Sequence, residues 1–253
     1  MRKAEFTVGR LESRVTAYLV DDLTPYGGLH PRHGALIVIP GGGYNHVSAR
    51  ESDPVALRFL AHGVDTFILH YPVGEDISRE KPVDTLEALV DHLVEHAQEY
   101  GIDPGRIAII GFSAGGHLAA SYATLRGGRN ISAMILGYPV ITSGDKAHTG
   151  SFDMLCQSEE ERRLYSLEKR VDSSCVPTFI FHSADDATVP VDNSLLFASA
   201  LAENGVPFEL HIYPSARHGT SVGTDEVGIR NPVFAGWFDN ALRWLFDIWD
   251  YTE

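Results

Sequence analysis

Ser113 stands in the segment Gly111-Phe112-Ser113-Ala114-Gly115-Gly116. A strand-like apolar run, 106–110, precedes it, and a helix-forming run, 118–123, follows. This is the strand–turn–helix setting in which G-x-S-x-G presents a serine hydroxyl as a nucleophile. The tight turn needs small neighbours, because a Cβ at either flanking glycine would crowd the backbone. The helix starting behind Ser113 aims N–H groups and a positive dipole end at developing negative charge. The plainer use of the same residues is a Gly-Ser turn that packs a helix on a strand. A second glycine-rich segment, Pro40-Gly41-Gly42-Gly43-Tyr44, follows the run 35–39. Such a loop can turn backbone N–H groups toward the oxyanion formed in acyl transfer. A phosphate loop is the competing use, but Lys followed by Ser/Thr is absent and G-x-G-x-x-G fails at His46. Gly42 and Gly43, with the N–H of Ala114, are therefore the expected oxyanion donors.

A serine nucleophile needs a base and an acid that orients the base. His182-Ser183-Ala184-Asp185-Asp186-Ala187-Thr188-Val189-Pro190 offers two carboxylates, and Pro214-Ser215-Ala216-Arg217-His218-Gly219 offers an imidazole. Each loop follows a strand-like run and so falls at the C-terminal edge of a sheet, where such sheets bind ligands. Ser113, then an Asp, then His218 is the chain order of α/β-hydrolases. Tyr44 is placed to line or close an acyl pocket, or else to serve as a packing aromatic. His46, Tyr71 and His117 flank the site and read as structural.

The elements that must carry these loops are legible as short apolar runs at 35–39, 66–71, 106–110, 133–138, 177–182 and 208–213. Without polar alternation they predict strands buried on both faces. Leu86, Leu89, Val90, Leu93, Val94 and Ala97 keep helical spacing up to Gly101. Leu195, Leu196, Ala198, Leu201 and Ala202 predict a second helix, and Trp237, Leu242, Leu245, Phe246 and Trp249 a closing one. Alternating strand and helix implies an α/β fold: a mainly parallel central sheet flanked by helices. No linker or repeat interrupts 1–253, which predicts one domain. The polar stretch 142–174 is too long for a simple connection. It predicts a small cap-like insertion with a short helix over the sheet's C-terminal edge. An enlarged crossover helix is the alternative. Phe152, Met154 and Leu155 would form an apolar wall there or a small secondary core.

Composition narrows the partners. Twenty Lys and Arg against 34 Asp and Glu give a net charge of −14, which argues against nucleic acid or an anionic membrane. Two cysteines, Cys156 and Cys175, make no disulfide framework, though a single bond between them stays open. No apolar run reaches transmembrane length, and the first residues lack the apolar core of a signal peptide, so a cytoplasmic protein is expected. His92-Leu93-Val94-Glu95-His96 matches H-x-x-E-H. Leu93 and Val94 belong to a buried stripe and no third ligand is evident, so no metal is expected. No cofactor is implied. The apolar run 244–249 would bury inside the chain or against a second copy, leaving monomer and dimer both open.

Taken together, these motifs resemble the α/β-hydrolase superfamily, and more narrowly its small esterases of the acetyl-xylan-esterase-like and hormone-sensitive-lipase-like group. Gly111–His117 is similar to that family's nucleophile elbow, Pro40–Tyr44 to its oxyanion loop and Arg217-His218-Gly219 to its histidine loop. The family's catalytic Asp stands three places before Val-Pro, which maps to Asp186, with Asp185 as fallback. Pro40 replaces the usual His of the wider family, a departure that counts more against a lipase than against an esterase. The resemblance covers roughly three quarters of the chain. It implies a serine carboxylesterase acting through an acyl-enzyme on a small-molecule ester. Acetyl groups on carbohydrates such as xylo-oligosaccharides are the implied substrates. Two alternatives are a serine peptidase of prolyl-oligopeptidase type, and a catalytically silent hydrolase fold used for binding. Ala114, where those peptidases carry Tyr, and the short chain argue against the first. The presence of all three triad residue types argues against the second.

Overall fold

The unbroken apolar runs form the middle of one eight-stranded sheet in the computed structural model, which describes residues 1–21 and 33–251. The strands are β1 (Arg2–Val8), β2 (Ser13–Leu19), β3 (His33–Ile39), β4 (Asp65–Leu69), β5 (Ile102–Phe112), β6 (Ala133–Gly137), β7 (Thr178–Ser183) and β8 (Phe208–Tyr213). Their spatial order is β1-β2-β4-β3-β5-β6-β7-β8. β1, β2 and β4 pair antiparallel, and every pairing from β4 through β8 is parallel.

Helices cover both faces. They are α1 (Asp53–Leu60), α2 (Pro82–Glu95), α3 (Ala97–Tyr100), α4 (Ala114–Leu125), α5 (Thr149–Leu155), α6 (Glu159–Leu164), α7 (Asp192–Glu203), α8 (Pro232–Ala235) and α9 (Trp237–Ile248). Strand side chains alternate between two cores. Ile37, Ile39, Ile109 and Leu136 pack with α2, α4 and α7. Leu36, Val38, Ile110 and Phe181 pack with α1 and α9. The parallel sheet buried on both sides is thus the expected α/β-hydrolase architecture.

Several elements depart from the expectation. The β1–β2 hairpin has no counterpart among the predicted runs, because its strands alternate polar and apolar residues at the sheet's edge. β8 is not buried on both faces: it is the opposite edge, with Phe208 and Ile212 exposed. α7 turns its predicted stripe partly outward, leaving Leu195, Leu196 and Ala202 exposed. Asn193 and Ser194 take the inner face instead. Asn193 Oδ1 accepts the N–H groups of Ile141 and Thr142 at 2.9 and 3.1 Å, and Ser194 Oγ lies 2.7 Å from His182 Nδ1. Satisfying those buried polar groups outweighs the apolar spacing.

Segment 142–174 holds two helices, α5 and α6, where one was expected. Phe152 and Leu155 are buried, whereas Met154 is exposed. The 244–249 run folds inward: Trp244, Leu245 and Trp249 are buried, and Trp249 Nε1 donates to Ser132 Oγ at 2.8 Å. Cys156 and Cys175 are both free thiols. Among the described residues no helix is long and apolar enough to cross a membrane, and no cluster of three or more His, Cys, Asp or Glu could hold a metal ion. His92 and His96 stack on each other at 4.1 Å, and His92 Nε2 meets the Tyr100 hydroxyl.

Candidate active site

β5 ends at Phe112 and α4 begins at Ala114, so Ser113 alone makes the turn between them, at φ 53° and ψ −118°. This is the left-handed, strained backbone that a sharp elbow imposes on a non-glycine residue. Two neighbouring glycines are required by close approach. A Cβ on Gly111 would lie 2.3 Å from Gly115 O, and one on Gly115 would lie 2.2 Å from Ile39 O. The strand, helix and oxyanion loop can meet only because those atoms are missing.

The loops after β7 and β8 bring an acid and an imidazole to this elbow. His218 Nε2 lies 2.8 Å from Ser113 Oγ, and His218 Nδ1 lies 2.7 Å from Asp186 Oδ2. Asp186 Oδ1 accepts the N–H groups of Thr188 and Val189 at 2.9 and 3.0 Å. His182 Nε2 stands 3.4 Å from the same Oδ2 that meets His218. Burial pushes the Asp186 carboxyl up, but the hydrogen bonds of His182 and His218 and the His218 charge outweigh it and hold it well below the usual carboxylate range. Asp185 serves another purpose. Its carboxylate is bonded to Ser183 Oγ, Ser215 Oγ and Ala216 N, and these contacts lower its pKa.

The loop after β3 lies against the elbow. Gly42 has φ 128°, and a Cβ there would sit 2.0 Å from His46 O. The hydroxyl of Tyr71 donates to Pro40 O at 2.7 Å, bracing the loop where the wider family carries His. Among the described residues no backbone acceptor is bonded to the N–H of Gly42 or Gly43, and Ala114 opens α4, where an N–H has no partner within the helix. The loop runs beside Ser113, since a Cβ on Gly41 would lie 3.0 Å from Ser113 Cβ, and Gly42, Gly43 and Ala114 are its candidate donors.

Of the two roles expected for Tyr44, its packing matches the second. It is buried, with its hydroxyl 2.8 Å from His117 Nδ1 and its ring edge-on to Tyr71. Its hydroxyl and ring are thus engaged by His117 and Tyr71. His117 Nε2 donates in turn to Tyr165 O at 3.0 Å, linking α4 to segment 142–174. Burial pushes the His117 imidazole down to about 4, so it is neutral at ordinary pH.

Sequence reasoning passed over three residues near the site. Glu51 is a buried glutamate beside the oxyanion loop. Tyr138 packs its ring edge against His218, centroids 4.9 Å apart. His148 caps α5 and lies by Gly43: a Cβ on that glycine would be 3.9 Å from His148 Cε1. Burial first, and then the His218 charge, lower its pKa. A histidine just before a helix start was the available signal for His148. Nothing in the local sequence marked Glu51 or Tyr138.

Residues 74–243 match the model of the prolyl oligopeptidase family. The chain belongs to the prolyl oligopeptidase family. Within this α/β-hydrolase family its solved neighbours are carboxylesterase-like. The acetyl ester-xyloside bifunctional hydrolase of Caldicellulosiruptor lactoaceticus is 31% identical, with a TM-score of 0.83 over 97% of this chain and 91% of that one. The carboxylesterase Cest-2923 of Lactobacillus plantarum is 28% identical, with a TM-score of 0.88 over 98% of both chains. An acetylxylan esterase of Xylanibacter ruminicola is 33% identical over 77% of this chain and 42% of its own length. The chain spans only 34% and 42% of the first two curated relatives it matches.

Proposed function

We propose that this chain is a serine carboxylesterase that removes short acyl groups, chiefly acetyl, from small-molecule esters such as acetylated xylo-oligosaccharides. The observation that carries the reading is the hydrogen-bonded line from Asp186 through His218 to Ser113. In the proposed cycle Ser113 Oγ attacks the ester carbonyl carbon while His218 Nε2 takes its proton. Asp186 keeps the other imidazole nitrogen protonated and stabilises the imidazolium. The N–H groups of Gly42, Gly43 and Ala114 receive the oxyanion. The tetrahedral intermediate collapses by breaking the bond to the alcohol oxygen, which takes the proton from His218. Water, deprotonated by His218, then attacks the acyl-serine carbonyl; the second tetrahedral intermediate breaks its bond to Ser113 Oγ, which takes the proton back from His218, and the carboxylic acid leaves.

The short acyl group rests on the acetyl esterases among the relatives. The carbohydrate rests on the names of the relatives. The family match favours a second reading, a serine peptidase, which Ala114 after the nucleophile argues against.

Hydrolysis of nitrophenyl acetate, butyrate and octanoate, of acetylated xylo-oligosaccharide and of a proline-containing peptide anilide tests the reading. Acetate is expected to be cleaved fastest and the oligosaccharide to be deacetylated. Octanoate cleaved faster than acetate, or anilide faster than both, would overturn it.

A further inference from the structure

Glu51 is 3% exposed and forms no ion pair among the described residues. Taking a carboxylate out of water costs several kcal/mol unless its oxygens are well bonded. Here each oxygen has one strong donor. Glu51 Oε2 accepts the N–H of Gly41 at 2.8 Å, and Oε1 accepts the hydroxyl of Tyr138 at 2.6 Å. Such charge-assisted bonds are short and geometrically demanding. Both donors belong to the site. Gly41 opens the loop that carries Gly42 and Gly43, and a Cβ on it would touch Ser113 Cβ at 3.0 Å. With its N–H engaged by Glu51, the loop is fixed one residue before the proposed oxyanion donors.

The Tyr138 side leads to the histidine loop. The Tyr138 ring stands edge-on to His218. Its hydroxyl accepts the N–H of Ser221 at 3.1 Å, three residues beyond His218. Ser221 Oγ donates to Arg50 O at 2.6 Å, returning the chain of bonds to the residue beside Glu51. Glu51 is therefore the point where the oxyanion loop, the turn after β6 and the histidine loop are joined.

We propose that Glu51 is a positioning residue, acting through Gly41 and Tyr138 to hold the oxyanion loop and His218 in register about Ser113; this rests on the esterase reading above. A carboxylate is the group that can accept from both loops at once. An amide of the same shape offers one acceptor and must face the other donor with an N–H. A purely structural glutamate would, when replaced, lower the melting temperature and leave turnover per folded molecule unchanged. A positioning glutamate lowers kcat with little change in KM, because the misplaced donors meet only the transition state.

The test uses Glu51→Gln, Tyr138→Phe and the double variant, with kcat for nitrophenyl acetate counted per active site by titration with a fluorophosphonate. Each single variant is expected to lose 10- to 100-fold in kcat with KM within about threefold. The double variant is expected to lose no more than the worse single one, since both act on one network. Tyr138→Phe carries the test alone if Glu51→Gln does not fold. Unchanged kcat per labelled site, or losses that multiply in the double variant, would overturn the positioning role. Failure of the wild type to be labelled at Ser113 would instead overturn the esterase reading.

Discussion

Asp185 and Asp186 adjoin in the chain, yet their carboxylates serve different loops: Asp186 Oδ2 meets His218 Nδ1 at 2.7 Å, while Asp185 binds Ser183, Ser215 and Ala216. Replacing each carboxylate separately therefore has unequal effects. Asp186→Asn is expected to lower kcat on the order of 10⁴-fold, because an amide favours the wrong imidazole tautomer. Asp185→Asn is expected to stay within about tenfold of the wild type, since it loses contacts at a partly solvated loop. Steady-state kinetics on nitrophenyl acetate decide the matter, and equal losses would contradict the assignment.

The two central glycines of the oxyanion loop differ in the same way. A Cβ at Gly42 would collide with His46 O, whereas one at Gly43 meets nothing nearer than 3.9 Å. Gly42→Ala is expected to move the loop and cost about 10²-fold or more in kcat. Gly43→Ala only has to bear a left-handed φ, a strain of about 1 kcal/mol, so its loss is smaller and shows chiefly in melting temperature. A Gly42→Ala enzyme with unaltered kcat would remove Gly42 from the oxyanion site.

His117 makes stability depend on pH. Burial holds its imidazole at about 4, against 6.5 when free, and the bond to Tyr165 only partly opposes this. The unfolded chain takes up a proton as pH falls through about 6.5, while the folded chain resists until about 4. The group's contribution is therefore complete above the unfolded value and is lost on acidification, by an amount on the order of 3 kcal/mol. His117→Gln keeps an acceptor for Tyr44 and a donor for Tyr165. Urea unfolding of both proteins between about pH 7 and about pH 4 should show the wild type losing that much more. Parallel curves would mean that His117 protonates without unfolding the site.

The thiols should be silent. Burial pushes Cys156 and Cys175 up to about 11, and the thiolate is the reactive form. Native protein is expected to resist maleimide and keep its esterase activity, with both cysteines modified after denaturation. Inactivation by maleimide in step with labelling of Cys156 would place a thiol in the mechanism.

The sheet was legible because β3, β5, β6 and β7 are buried on both faces and so read as unbroken apolar runs. The elbow at Ser113 and the loops of Asp186 and His218 were legible because each has a local signature. Contacts between distant segments were not. Glu51 stands in a polar stretch, and only its burial against Gly41 and Tyr138 distinguishes it from a solvated acid. Tyr44 follows a glycine loop, but its partner His117 lies 73 residues on and turns it inward. The helix at α7 was legible but its inward face was not: Asn193 faces the core to meet Ile141 and Thr142, which no spacing rule registers.

The central claim is that Ser113 is the nucleophile that His218 activates. A fluorophosphonate ester should inactivate the wild type with one adduct per chain, mapped by peptide mass spectrometry to the peptide holding Ser113. Ser113→Ala should take no adduct and should lose nitrophenyl acetate hydrolysis on the order of 10⁴-fold or more. An adduct on another residue, or a Ser113→Ala protein that hydrolyses acetate as fast as the wild type, would contradict it.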